Sequence, residues 1–125
     1  MVYIGIGSNL GNRIRNIEIS KYLLEIYGIA IIKSSSYYET LSWPDPTKPK
    51  FINIVIQSNT KFSPQKLIEI FKIIEKKLGR VNSGKNSPRT CDIDLISYRE
   101  KIISNNISVP HKRMMTRNFV LFPLF

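Results

Sequence analysis

Residues 87–98 read SPRTCDIDLISY, and the fold turns on how this stretch is read. From Thr90 to Tyr98 it is an apolar run with the look of a strand, yet Asp92 and Asp94 sit inside it. Acids weaken strands. Side chains alternate along a strand, so these two carboxylates share one face and repel each other. Cys91 alternates to the other face and reads as a small buried hydrophobe.

The rest of the chain supplies partners for that strand. VYIGIGS (2–8) reads as a first strand, and NLGNR follows as a turn that could open a helix. Over 12–27, Ile14, Ile17, Leu23, Leu24 and Tyr27 recur at helical spacing, and Gly28 closes the helix. Residues 29–39, IAIIKSSSYYE, read as a second strand. TLSWPDPTKPK (40–50) holds three prolines and is a long loop. FINIVIQSN (51–59) is a third strand, with Ile52, Ile54 and Ile56 on one face and Phe51, Asn53, Val55 and Gln57 on the other.

Ser63 and Pro64 then start a second helix, whose stripe is Leu67, Ile70, Phe71, Ile74 and Leu78. Lys76 and Lys77 suit its C-terminal dipole, and Gly79 ends it. RVNSGKNSPR (80–89) is a second long loop, polar and basic, before the diacid strand. Beyond that strand, residues 99–111 suggest a hairpin-like return and 113–125 the start of a helix stopped by Pro123. The order β-α-β-β-α-β predicts an α+β, ferredoxin-like antiparallel sheet with both helices on one face. The two long loops would border an active site on the open face.

Bulk properties bound the answer. At 125 residues and 42% hydrophobic content, one globular domain spanning 1–125 is expected. One cysteine allows no intrachain disulfide. No apolar run approaches the ~18 residues of a membrane span, and MVYIGIGSN lacks the features of a signal peptide. The expectation is a cytoplasmic protein without a membrane partner. The net charge of +10 would attract anions, nucleotides or nucleic acid. An Ile-, Lys- and Asn-rich composition of the kind AT-rich genomes produce explains the same number, so charge alone names no partner.

The diacid has two readings. Acids two residues apart, about 6.5–7 Å along a strand, can hold a pair of divalent cations about 3.5–4 Å apart; they can also be two solvated acids, since Asp-x-Asp is short and common. The neighbours favour a phosphate site: Arg80, Lys85 and Arg89 precede the strand, and Lys112, Arg113 and Arg117 lie further on. GIGSNLGN lacks the Gly-Lys-Ser/Thr of a P-loop and the third glycine of a dinucleotide fingerprint, and reads as a tight strand-to-helix turn. His111 sits in a turn after Pro110, and Trp43 in the proline-rich loop could stack on a flat ring or anchor the loop.

Taken together, the segments resemble the 6-hydroxymethyl-7,8-dihydropterin pyrophosphokinases of folate biosynthesis. YIGIGSNLGNR, SSSYYET followed by FINIVI, LGRV with SPRTCDIDL, and SVPHKRMMTRNFVLFPL are similar to that family's ordered motifs over nearly the whole chain. The resemblance implies transfer of an intact diphosphate from ATP to the pterin hydroxymethyl group, with AMP released. It implies a magnesium pair on Asp92 and Asp94, which with Arg89, His111 and Arg117 form the catalytic set. Arg80, Lys85, Arg89, Leu95, Ser108, His111 and Arg117 are implied around ATP. Thr40, Leu41, Trp43, Phe51, Asn53 and Phe119 are implied around the reduced pterin. Partners are then small molecules, with no nucleic acid, and the protein is expected to be a monomer.

Three departures stand out. The loop VNSGKNS carries Lys85 as its one basic residue, where relatives have more arginine and an aromatic. Lys112 follows the histidine where an aromatic is usual, and relatives continue beyond the Pro-Leu near Phe125. Two rival functions follow: a basic ferredoxin-like module that binds RNA, and a family member that folds but turns over poorly. Against the RNA module, the strands lack the aromatic-rich RNA-binding signature, and acids on the open face repel phosphates unless a cation lies between.

Overall fold

The computed structural model describes residues 1–42, 45–79 and 90–99. Its elements are β1 (Val2–Ser8), α1 (Arg13–Ile26), β2 (Ala30–Ser34), β3 (Tyr38–Thr40), β4 (Phe51–Asn59), α2 (Pro64–Lys77) and β5 (Asp92–Tyr98). The sheet runs β2-β4-β1-β5, with β3 also paired to β4, and every pairing is antiparallel. β1 is central, flanked by β4 and β5, as the ferredoxin-like expectation requires. The readings of 99–111 as a return and 113–125 as a helix lie outside the described residues, save Arg99.

One apolar layer joins the sheet to both helices. Val2, Ile4 and Ile6 of β1, Ile54 and Ile56 of β4, and Ile93 and Leu95 of β5 meet Ile17 and Leu24 of α1 and Leu67, Ile70, Phe71 and Ile74 of α2. Alternation along each strand therefore sends Gly5, Gly7, Asn53, Asp92 and Asp94 to the opposite face.

α2 forms where the periodicity puts it. Ser63 accepts a hydrogen bond from Lys66 N at 3.2 Å, Pro64 occupies the first turn, and Gly79 at φ +87° ends the helix. α1 departs from expectation. Its buried positions are Ile17, Ser20 and Leu24, whereas Ile14 is 48% exposed. Ser20 fits the core because its hydroxyl donates to Asn16 O at 2.7 Å and lies 3.2 Å from the Cys91 thiol. Cys91 is buried, as its alternation indicated.

The second strand, expected unbroken over 29–39, is two strands. Ser34 faces Ile56 and Tyr38 faces Asn53, so four steps on one chain match three on the other. Ser35 bridges the gap: its backbone N donates to Val55 O at 2.9 Å, and its hydroxyl accepts from Val55 N at 2.8 Å. A side chain thus takes over a ladder bond that the backbone would have made.

Candidate active site

Two cross-strand rows build the open face. Asn53 of β4, Gly7 of β1 and Asp92 of β5 stand abreast, and Val55, Gly5 and Asp94 form the next row. With strands about 4.8 Å apart, the outer members of each row are about 10 Å apart at the backbone. The central member carries no side chain in either row, which leaves room over Gly7 for the side chains of its neighbours.

The glycines act differently. At Gly5, an added Cβ would lie 3.1 Å from Ile96 Cδ1. Ile96 is the extra residue where the β1–β5 register shifts between Tyr3 and Ile4, and it packs with Val55 and Tyr3 as a small second apolar cluster. At Gly7, an added Cβ would lie 2.9 Å from Asn53 Oδ1 and 3.2 Å from Phe51 Cδ1. Gly5 thus makes room for a packed end of the face, and Gly7 for the Asn53 amide and the Phe51 ring. The strand-to-helix reading of GIGSNLGN agrees with the structure: Gly5 and Gly7 lie within β1, and Gly11, at φ +73°, is in the turn before α1.

The Asn53 amide is aimed by β3. Its Nδ2 donates to Thr40 Oγ1 at 2.9 Å and more weakly to Tyr38 O at 3.4 Å. Thr40, Phe51 and Asn53 therefore form one group, with exposed Leu41 beside it. The loop after Leu41 is clasped at its base. Buried Asn9 donates through Nδ2 to Ser42 Oγ at 3.1 Å and to Pro49 O at 3.1 Å, and the Ser42 hydroxyl also donates to Pro49 O. Arg13 adds bonds to Glu39 Oε2 at 2.9 Å and Lys50 O at 3.0 Å. Inside the loop, Thr47 donates to Asp45 through both its hydroxyl and its backbone N, which holds the Asp45 carboxyl below the usual carboxylate range.

Asp92 and Asp94 are half-buried on β5, on the same side as Asn53. Two hard oxygen donors above glycine backbone suit magnesium, which takes few protein carboxylates and keeps places for water and phosphate. Among the described residues no group of three or more His, Cys, Asp or Glu gathers, so within that set this pair is what could hold a cation. Leu95 points the other way: its side chain is in the core with Ile4 opposite, leaving backbone for any nucleotide contact. Trp43, Arg80, Lys85, Arg89, Ser108, His111, Arg117 and Phe119 lie outside the described residues.

Sequence reasoning missed three residues. Gly7 was legible only once β4 was known to lie beside it. Asn9 is buried in a segment read as a turn. Glu75 is buried in α2 with Oε2 accepting from Ile93 N at 2.8 Å. The available sign was its position four residues after Phe71, on the flank of the apolar stripe.

An antiparallel sheet with both helices behind it, and an amide and a diacid on its other face, define an α+β domain with a candidate site on the sheet. The chain belongs to the 7,8-dihydro-6-hydroxymethylpterin-pyrophosphokinase (HPPK) family, whose model matches residues 3–125. It is 36% identical over 124 residues to the 2-amino-4-hydroxy-6-hydroxymethyldihydropteridine pyrophosphokinase of Aquifex aeolicus, covering 98% of this chain and 77% of that protein. It is 40% identical over 125 residues to an Arabidopsis thaliana folate synthesis bifunctional protein, covering 98% of this chain and 26% of that one. The mitochondrial folate synthesis bifunctional protein of Pisum sativum is 36% identical over 124 residues, covering 98% of this chain and 24% of the relative. The chain thus spans about a quarter of those bifunctional proteins' length.

Proposed function

We propose that this chain transfers the terminal diphosphate of ATP to the hydroxymethyl group of 6-hydroxymethyl-7,8-dihydropterin. The pterin hydroxyl oxygen bonds to the β-phosphorus, the bond from that phosphorus to the α-phosphate oxygen breaks, and AMP leaves. The hydroxyl proton is lost to solvent or a nearby base. The observation that carries this reading is the Asn53–Gly7–Asp92 row. Asn53 and Asp92 stand about 10 Å apart at the backbone, two strand spacings, and in this reading the amide over Gly7 meets the ring while the acid serves the phosphates. A flat pterin held at Asn53 and Phe51 would extend its hydroxymethyl arm over Gly7 toward a diphosphate above β5.

Phosphoryl-type transfer asks for positioning and charge neutralisation more than for a covalent intermediate. Asp92 and Asp94 would hold magnesium, which when bound neutralises phosphate charge. Arg89, His111 and Arg117 supply further positive charge in this reading, with Arg80, Lys85, Leu95 and Ser108 around ATP. Thr40 keeps the Asn53 amide oriented, while Leu41, Trp43 and Phe119 complete the pterin pocket. The loop clasped by Asn9 and Arg13 would help exclude water that could otherwise take the diphosphate. Among the described residues no helix is long and apolar enough to cross a membrane. The reading places a monomer in the cytoplasm, with small molecules and no nucleic acid as partners.

The test is AMP release in the presence of ATP, magnesium and the pterin. AMP should form only when all three are present. AMP released without pterin points to an ATPase. No AMP, with each substrate still bound, identifies a family member that folds without turnover. No AMP combined with salt-sensitive RNA binding favours the RNA-binding module.

A further inference from the structure

Glu75 lies on α2, outside the rows that face the ligand, yet its side chain is only 7% exposed. A carboxylate is taken out of water at considerable cost unless strong hydrogen bonds compensate. One of its bonds goes to the backbone of β5: Ile93 N donates to Glu75 Oε2 at 2.8 Å. Ile93 is the residue between Asp92 and Asp94. Among the described residues β5 pairs only with β1, so within that set its other side is an edge. Alternate N–H groups of an antiparallel strand point to that edge.

A second tie lies one turn of α2 further on. Thr90 Oγ1 donates to Leu78 O at 2.7 Å, so the entrance to β5 is fastened to the end of the same helix. The stretch bearing both acids is thus held against α2 at Leu78 and at Glu75, and against β1 by the ladder. Among the described residues Glu75 joins no cluster of three metal-type side chains, and its bond to Ile93 N connects it to the strand that carries both acids.

We propose that Glu75 is a positioning residue for the Asp92–Asp94 pair, fixing the strand between the two acids so that both carboxylates meet their cations in one geometry. This rests on the reading of that pair as the metal-holding acids. Groups that orient metal ligands from behind typically change metal affinity by about 10- to 100-fold when altered.

Two conservative variants separate reach from charge. Glu75→Asp keeps the charge but falls short of Ile93 N by one methylene. Glu75→Gln keeps an oxygen acceptor at full reach and removes the charge. Amide exchange at Ile93 is followed by NMR, and Mn²⁺ affinity by electron paramagnetic resonance in the presence of α,β-methylene-ATP. In Glu75→Asp, Ile93 exchange should rise and Mn²⁺ affinity should fall by about tenfold or more. Glu75→Gln should stay within about threefold of the unaltered protein on both measures. The proposal is overturned if Glu75→Asp binds Mn²⁺ normally, or if Glu75→Gln binds as weakly as Glu75→Asp while Ile93 stays protected. Failure of the unaltered protein to bind Mn²⁺ with the nucleotide would instead remove the metal reading itself, and the role of Glu75 with it.

Discussion

Gly7 faces Asn53 across β1 and β4 so closely that a Cβ on Gly7 would lie 2.9 Å from Asn53 Oδ1. The oxygen belongs to a side chain and could move, but the same amide is held through Nδ2 by Thr40 Oγ1 at 2.9 Å. Gly7→Ala should therefore turn the amide away from its Thr40-bound pose. Overpacking of this kind typically costs about 1–3 kcal/mol, and a side chain on an open face belongs at the lower end. Pterin binding should suffer more, because a misaimed amide leaves ring donors and acceptors unmatched. The expected result is about a tenfold higher KM for pterin, equivalent to ~1.4 kcal/mol, with the KM for ATP little changed. Equal effects on both substrates would count against an Asn53-centred pterin site.

Tyr37 gives a pH signature on the far side of the clasp. Its hydroxyl donates to Glu18, and burial first, then the bond and charge of Glu18, push its pKa up to about 12 from 10.0. A raised pKa means that folding favours the protonated phenol. The stability it adds is fully present below about pH 10 and is lost as pH rises toward 12. The ring is 42% exposed, so solvent screening keeps the effect small. Tyr37→Phe should flatten the alkaline limb of a denaturant-midpoint profile between about pH 10 and 12 and leave its neutral-pH form unchanged. An unaltered alkaline limb would show that another group titrates there.

Much of the architecture was legible because burial is periodic. The stripe Leu67, Ile70, Phe71 and Ile74 and the alternation of Ile52, Ile54 and Ile56 each specify a face, and both faces meet in one core. The breaks were not legible, because they depend on side chains replacing backbone. Ser35 lends its hydroxyl to Val55 N and splits one expected strand into two, and no propensity scale scores such an exchange. At the site, alternation put Asp92 and Asp94 on one face. The meaning of Gly7, Asn9 and Glu75 came only from what lies opposite them, 33 or more residues away at Asn9 and 18 at Glu75. Long-range partners of single polar residues leave no local pattern to read.

Asn9 tests whether the proline-rich loop is held from below. Its amide ties Ser42 Oγ to Pro49 O, the two ends of the loop. Asn9→Ala removes both bonds from a buried position, and uncompensated buried groups cost about 1–3 kcal/mol. The loop base should then open before the sheet does, because the β1 ladder does not depend on that side chain. Limited proteolysis should show faster cleavage within residues 42–49 at a temperature where the rest of the chain resists. Uniform cleavage along the chain would mean that Asn9 supports the whole fold.

Asp94→Asn separates a cation-holding role from a structural one. Asp94 stands opposite Gly5 on a half-buried face, and asparagine keeps its shape while removing its charge. The melting temperature without ligand should stay within a few degrees, since the substitution is isosteric and leaves no cavity. Ligand-dependent stability should change sharply. A ligand at about 100 times its Kd adds about 2.7 kcal/mol, so magnesium with α,β-methylene-ATP should raise the melting point of the unaltered protein by several degrees. In Asp94→Asn most of that rise should vanish, and turnover should fall by about 10²-fold or more, the size of effect seen when one electrostatic contact to a transition state is lost. A variant that kept the magnesium-dependent shift and lost only turnover would move the cation away from Asp94 and leave the residue a role in orienting the phosphates alone.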